Sequence, residues 1–246
     1  MICWGRSDIG KNRKMNQDAF VIKQNGTSIL ALVCDGMGGA KAGEVASRMA
    51  CDKIAEYFDE HPDLSVDTME NWLYGAVMYA NDAVFAASIN RSDYFGMGTT
   101  LVGFLKVNDK IISVNVGDSR LYRFFDHRIA QLTVDHSLVY ELLQRGLISE
   151  EETKNHPQRH VLTNALGISK AIRIDIHPIE EPFDLLLVAS DGLHSMLQDE
   201  EIQRILDEKE PPQAVCDRLI DKANDAGGSD NITVILAAAR PEVRHG

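Results

Sequence analysis

Residues 17–39 read QDAFVIKQNGTSILALVCDGMGG. QDAFVIKQ (17–24) and SILALVC (28–34) are strands in this reading, joined by a turn at Asn25-Gly26, a strong two-residue hairpin signal. The second strand carries Asp35 to its end, where the glycine-rich stretch DGMGGAKAG breaks the sheet. Two helical stretches follow, about 43–60 and about 67–90, with Val45, Met49, Ile54 and Phe58 at helical spacing, enough to cover one face of a sheet.

Further on, the period shortens. TTLVGFLKV, KIISVNVG, SRLYRFF and RIAQLT are short apolar pieces separated by Asn108-Asp109 and Asp126-His127, the pattern of an antiparallel meander. Residues 136–165 turn helical and polar, with Gly146 as a C-cap and His156-Pro157 as a breaker. Strands return at AIRIDIHPI and FDLLLVAS, helices occupy about 199–208 and 211–226, and NITVILAAA closes the chain as a strand. Hairpin-linked strands and paired helices, without alternating β-α units, predict an α+β fold rather than a doubly wound parallel sheet. The expected form is two antiparallel sheets packed face to face, with helices outside in four α-β-β-α layers.

The chain has 246 residues, 44% of them hydrophobic, and no low-complexity linker, so one domain spanning 1–246 is expected. With 37 acidic against 25 basic residues the net charge is -12, which argues against a nucleic-acid partner and suits a cation site. The four cysteines are scattered and form no C-x-x-C pair, an inventory of reduced thiols. No apolar run is long enough for a membrane span or signal peptide, so a cytoplasmic protein without membrane contact is expected.

Four aspartates abut apolar runs where these meet glycine or a turn residue: Asp35, Asp118, Asp191 and Asp230. Any one of them alone reads as a turn former. Together they read as a carboxylate site for hard divalent cations, which take several oxygen ligands held on rigid elements.

The order of motifs resembles the metal-dependent protein phosphatase family, the type-2C serine/threonine phosphatases in their compact bacterial form. The resemblance runs through RKMNQDAF, VCDGMGG, GEVAS, GMGTTL, VGDSRLYR, LTVDHS, VLTNALG, ASDGL and GGSDNITV, from about residue 5 to about residue 238. It implies a β-sandwich flanked by helices, with two Mn2+ or Mg2+ ions at one end and a third, weaker one. On that resemblance Asp35 bridges both ions and the Gly36 carbonyl binds the second. Asp191 and Asp230 ligate the first, Asp118 helps bind the third, and Asp18 is an outer carboxylate near the waters. Arg13 pairs with the substrate phosphate, although in isolation it reads as a solvated charge beside Arg6, Lys11 and Lys14. The implied reaction is hydrolysis of phosphoserine and phosphothreonine on proteins by a hydroxide bridging two metals, with no phosphoenzyme. The catalytic set is Arg13, Asp35 and Asp191. The alternative is an inactive relative that binds phosphoproteins. The implied partners are phosphorylated targets of a serine/threonine kinase, and a monomer is expected.

Residues 136–165 resemble the family's flap, where His156 and Arg159 either contact substrate or are solvated helix-end residues, and His136 orders the flap entry. His160, His177 and His194 are read as structural, since no pair has metal-ligand spacing. Met37 and Ala40 stand where some relatives carry histidine, and Gln17 where some carry glutamate.

Overall fold

The computed structural model describes residues 1–38, 42–208 and 210–239, with the backbone alone at Lys154. Ala40 therefore lies outside the described residues. The strands are β1 (Ile2–Asp8), β2 (Asp18–Asn25), β3 (Ser28–Met37), β4 (Gly98–Thr99), β5 (Leu101–Val107) and β6 (Lys110–Val116), then β7 (Arg120–Phe125), β8 (Arg128–Gln131), β9 (Asp175–Pro178), β10 (Leu185–Ala189) and β11 (Ile232–Ala238). The α-helices are α1 (Ala42–Glu60), α2 (Met69–Asn90), α3 (Leu138–Gln144), α4 (Glu150–Asn155), α5 (Asp191–His194), α6 (Asp199–Leu206) and α7 (Pro212–Asp225).

The strands form two antiparallel sheets. One has the order β1-β11-β10-β7-β8 and the other β2-β3-β5-β6-β9, with β4 paired to β3. Strand β3 shows why 28–34 is apolar throughout. Ile29, Ala31 and Val33 point into the core between the sheets, where they meet Leu186, Val188 and Ile235. Leu30, Leu32 and Cys34 point the other way, into the layer of α1 and α2 with Ala46, Ile54 and Leu73. A strand buried on both faces has no polar side to alternate with. Strand β11 does the same for the second sheet: Ile232, Val234 and Leu236 pack beneath α6 and α7, while Ile235 and Ala237 face inward. The outcome is the four-layer α-β-β-α sandwich.

Several local expectations need correction. The hairpin turn is Gly26-Thr27, because Asn25 pairs with Ser28. Gly26 has φ +57 at the first central position, a conformation that glycine adopts without steric cost. The turns at Asn108-Asp109 and Asp126-His127 are present, with φ of 53, 48 and 60 at Asn108, Asp126 and His127. They do not belong to one meander, however. β5 and β6 lie in one sheet and β7 and β8 in the other, so the chain changes sheets across Gly117-Asp118-Ser119. Strand β1 has no counterpart in the sequence reading. It is an edge strand in which no residue is fully buried, so it lacks the apolar run that marks its neighbours. Between 136 and 165 only α3 and α4 are helical; Ser149 and Glu152 form a capping box at the start of α4.

Candidate metal and phosphate site

Asp18 opens β2 and sits directly opposite Asp35 in the β2–β3 register. Asp191 is the first residue of α5 at the end of β10, Asp230 lies just ahead of β11, and Asp118 is on the link between the sheets. The sandwich brings all five together. Loss of hydration pushes the Asp35 carboxyl well above the usual range, and the charges of Asp18, Asp191, Asp118 and Asp230 push it further. Burial, followed by the charges of Asp191 and Asp135, does the same to Asp118. Burial and Asp230 raise Asp191, although a hydrogen bond with Asp35 works against the shift. Asp18, only 6% exposed, is pushed up to about 7, chiefly by burial.

The backbone that carries these acids is held by hydroxyls. The Asp35 N–H donates to Thr100 Oγ1 at 3.0 Å, and Thr99 Oγ1 donates to the Asp35 carbonyl at 2.9 Å. Thr100 Oγ1 also bonds Ser119 Oγ at 2.7 Å, which ties the strand end of Asp35 to the link of Asp118. Ser190 Oγ donates to Asp18 Oδ2 at 2.7 Å and accepts the Thr233 N–H at 2.9 Å. Gly36 allows a close approach: a Cβ there would stand 2.0 Å from the Gly43 carbonyl of α1, so any side chain would force helix and strand apart.

Arg13 lies on the loop between β1 and β2. Asn231 fastens that loop, donating to the carbonyls of Ile9 and Met15 at 2.9 and 3.0 Å and accepting the Gln17 N–H at 2.8 Å. The guanidinium is half-exposed and donates to Asp230 Oδ2 at 2.6 Å. Of the basic residues near it in sequence, Arg6 pairs with Asp217 and Lys11 with Asp225.

A cavity of about 490 Å³ opens beside the acids, and its lining includes Asp118, Asp191 and Asp230 together with Arg159 and His160 from the 136–165 segment. His160 and His194, read as structural from sequence, both line it. His156 does not; its Nδ1 accepts the Gln158 N–H at the end of α4. His177 is an exposed residue of β9 whose carbonyl accepts from Ser113. His136 is buried at the base of the segment, between Gly117 and Asp175.

Thr99, Thr100, Ser119, Ser190 and Asn231 were not among the sequence-derived site residues. Their signal was faint: each is a small polar residue at the start or end of an apolar run, buried at 3% exposure or less.

Among the described residues no three His, Cys, Asp or Glu side chains already surround one ion-sized position. The donor set nevertheless fits hard divalent cations. Asp18 Oδ1 and Asp191 Oδ1 are buried without any hydrogen-bond partner, and the acids repel one another. All the side chains concerned present oxygen, as Mn2+ and Mg2+ require.

Over residues 4–236 the chain matches the family described as protein phosphatase 2C. It belongs to that family. A serine/threonine phosphatase (stp) of Listeria monocytogenes serotype 4b is 39% identical over 236 residues, covering 94% of this chain and 93% of that one. The protein phosphatase PhpP of Streptococcus pneumoniae is 34% identical over 239 residues, 96% of each chain. The crystal structure of a serine/threonine phosphatase from Staphylococcus aureus matches with a TM-score of 0.91 at 38% identity, covering 96% of this chain and 94% of that one. That of the Mycobacterium tuberculosis serine/threonine phosphatase matches with a TM-score of 0.84 at 33% identity, covering 96% and 97%. The sandwich described above is thus the architecture of a bacterial phosphatase family.

Proposed function

We infer that this member of the protein phosphatase 2C family is a metal-dependent serine/threonine protein phosphatase that removes phosphate from phosphoserine and phosphothreonine. Residues 1–246 act as one catalytic domain, with 136–165 as a flap beside the cleft. The observation that carries the metal reading is the convergence of five aspartates, with buried carboxylate oxygens on Asp18 and Asp191 lacking any partner. Two Mn2+ or Mg2+ ions would be held by Asp35, Gly36, Asp191 and Asp230, with Asp18 in support and a third, weaker ion near Asp118. Such ions, when bound, neutralise phosphate charge and make a nucleophile available from water near neutral pH.

The chain's own residues supply the rest. Arg13 presents a planar fork at the mouth of the acid cluster and would exchange Asp230 for two phosphate oxygens, orienting phosphorus for attack. Thr99 and Thr100 keep Asp35 in place as charge develops. Cys34, the thiol next to Asp35, is wholly buried, and contact with Cys51 together with burial raises its pKa well above the usual value. It is therefore no nucleophile, and direct attack by water without a phosphoenzyme is the mechanism we favour.

The partners in this reading are phosphorylated proteins made by a serine/threonine kinase, met by a monomeric, cytoplasmic enzyme with no nucleic-acid or membrane contact. The net charge of -12 supports the nucleic-acid exclusion, and no described helix is long and apolar enough to cross a membrane.

The test is phosphate release from a phosphothreonine peptide in EDTA, magnesium and manganese, with Asp191→Ala as control. Turnover that needs both metal and Asp191 is expected. Near-normal turnover in EDTA or in the variant would sink the mechanism.

A further inference from the structure

Between Leu138 and Asn164 no described side chain is buried. The segment nevertheless contributes Val139, Thr153, Arg159 and His160 to the lining of the cavity beside the acids. A stretch without a core of its own takes its position from its two ends. These meet in a short antiparallel neck: Ser137 bridges Leu162, the Leu138 N–H donates to the Val161 carbonyl at 2.9 Å, and the Thr163 N–H donates to the His136 carbonyl at 2.9 Å.

His136 is where the neck joins the sandwich, and its side chain is only 1% exposed. Its N–H donates to the Gly117 carbonyl at 2.9 Å, and the Gly117 N–H donates back to Nδ1 at 3.2 Å. A single bond would let the neck turn about it, whereas two to one glycine fix its direction. Nε2 donates to Asp175 Oδ2 on β9 at 3.0 Å, which keeps the ring proton there and leaves Nδ1 as an acceptor. From the returning side of the neck the Asn164 amide reaches the same Nδ1 at 2.9 Å and also donates to the Arg173 carbonyl at 2.8 Å. One buried ring thus ties both ends of the flap to β9 and to the link between the sheets.

We propose that His136 is a positioning residue whose Nδ1 bond to Gly117 sets the direction of the neck, and with it the place of the flap residues in the cavity that a phosphorylated protein must enter. The proposal rests on the phosphatase and flap readings above. The neck is short and the flap long, so a small turn at His136 becomes a larger displacement at Val139, Thr153 and Arg159. A polypeptide substrate, which extends past its phosphate into the cavity, loses contacts when those residues move. A small phosphate ester ends near the acids and Arg13 and does not.

The experiment measures KM and kcat with manganese for a phosphothreonine peptide and for p-nitrophenyl phosphate in wild type, His136→Leu and His136→Asn, together with amide hydrogen exchange of the metal-free proteins. The Asn side-chain oxygen can take the place of Nδ1 as acceptor for the Gly117 N–H, whereas Leu has none. His136→Leu should raise the peptide KM about tenfold, with both constants for p-nitrophenyl phosphate within about threefold, and His136→Asn should recover most of the loss. Amide exchange over 138–144 should quicken about tenfold in His136→Leu while β3 and β11 stay as protected as in wild type. If circular dichroism shows that His136→Leu is misfolded, His136→Gln takes its place, since its amide falls nearer to Nε2 and leaves Gly117 without an acceptor. An unchanged peptide KM, equal losses on both substrates, exchange quickened in the sheets as much as in the flap, or no recovery in His136→Asn would overturn the proposal. Wild type that releases phosphate from neither substrate would remove the phosphatase reading, and the exchange data would still decide whether His136 holds the flap.

Discussion

Asp118 and Asp135 are near enough that the charge of Asp135 raises the Asp118 carboxyl, yet only Asp135 is paired with Arg120 by hydrogen bonds. Asp135 accepts from Arg120 Nε and Nη2, at 3.0 and 2.7 Å, and from Gln131 Nε2 at 2.9 Å. Asp175, on the neighbouring sheet, accepts from Arg173 and His136; burial works to raise its carboxyl, but those bonds leave it lowered. In the cluster of Asp18, Asp35 and Asp191 the neighbours are other carboxylates, and two buried oxygens have no donor at all. An acid with its counter-ion inside the fold stabilises the fold. One that is left facing other acids needs something from outside, and so marks the site.

The sharpest way to break this comparison is Asp35→Asn. It keeps the shape of the side chain and removes the charge with the most acidic neighbours. Phosphate release should fall on the order of 10³-fold, as expected when several kcal/mol of cation-mediated stabilisation are lost. The melting temperature of the metal-free protein should rise, because a repelling charge has gone. A fall in that temperature would mean that Asp35 is a satisfied structural acid like Asp135.

A second test needs no mutation. With Asp18 at about 7 in the fold, the native state keeps a proton that the unfolded chain releases near the ordinary value of 3.8. The native state therefore binds more protons across that window, and stability falls as pH rises through it. The loss from Asp18 alone is on the order of 4 kcal/mol once pH exceeds 7. Thermal scans in EDTA should give a higher midpoint at pH 5 than at pH 8, and manganese should shrink or reverse the difference. A flat profile in EDTA would put Asp18 with the paired acids.

For the paired set, Asp135→Asn should cost about 3 kcal/mol in urea unfolding, since Arg120 would lose the charge that compensates its largely buried guanidinium. Manganese affinity should stay close to wild type. A large loss of affinity without a loss of stability would exchange the roles assigned to Asp135 and Asp35.

These two populations of aspartate were not equally visible in the sequence. The layer order was readable because β3 and β10 are apolar on both faces, and Asp35 and Asp191 were readable because each ends such a run. Asp135 and Asp175 gave no comparable signal: Gln131 and Arg173 stand close in sequence to the acid each one meets, but Arg120 and His136 lie 15 and 39 residues from theirs. The crossing from one sheet to the other at Gly117-Asp118-Ser119 was also hidden, because a tight link inside a sheet and one between sheets use the same residue types. Asn231 shows the same limit. It stands beside Asp230 in GGSDN, but its work is to fasten residues 9–17, and that depends on a contact more than two hundred residues away in sequence.

The finest test separates charge from hydrogen bonding at Asp175. His136 Nδ1 accepts the Gly117 N–H at 3.2 Å and faces the Asn164 amide at 2.9 Å, so the proton must lie on Nε2, which donates to Asp175 Oδ2 at 3.0 Å. Asp175→Asn preserves an oxygen for that N–H and gives up only the attraction to Arg173, whose side chain is 62% exposed. Its cost should be at most about 1 kcal/mol, the scale of a surface ion pair. Asp175→Ala leaves the Nε2–H of a side chain only 1% exposed with no acceptor, and should cost about 2 kcal/mol. Urea unfolding that ranks Ala well above Asn in cost would show that Asp175 serves by accepting one hydrogen bond. Equal costs would show that its charge is what the fold uses, and Asp175 would then differ from the acids of the site only in having found its cation within the chain.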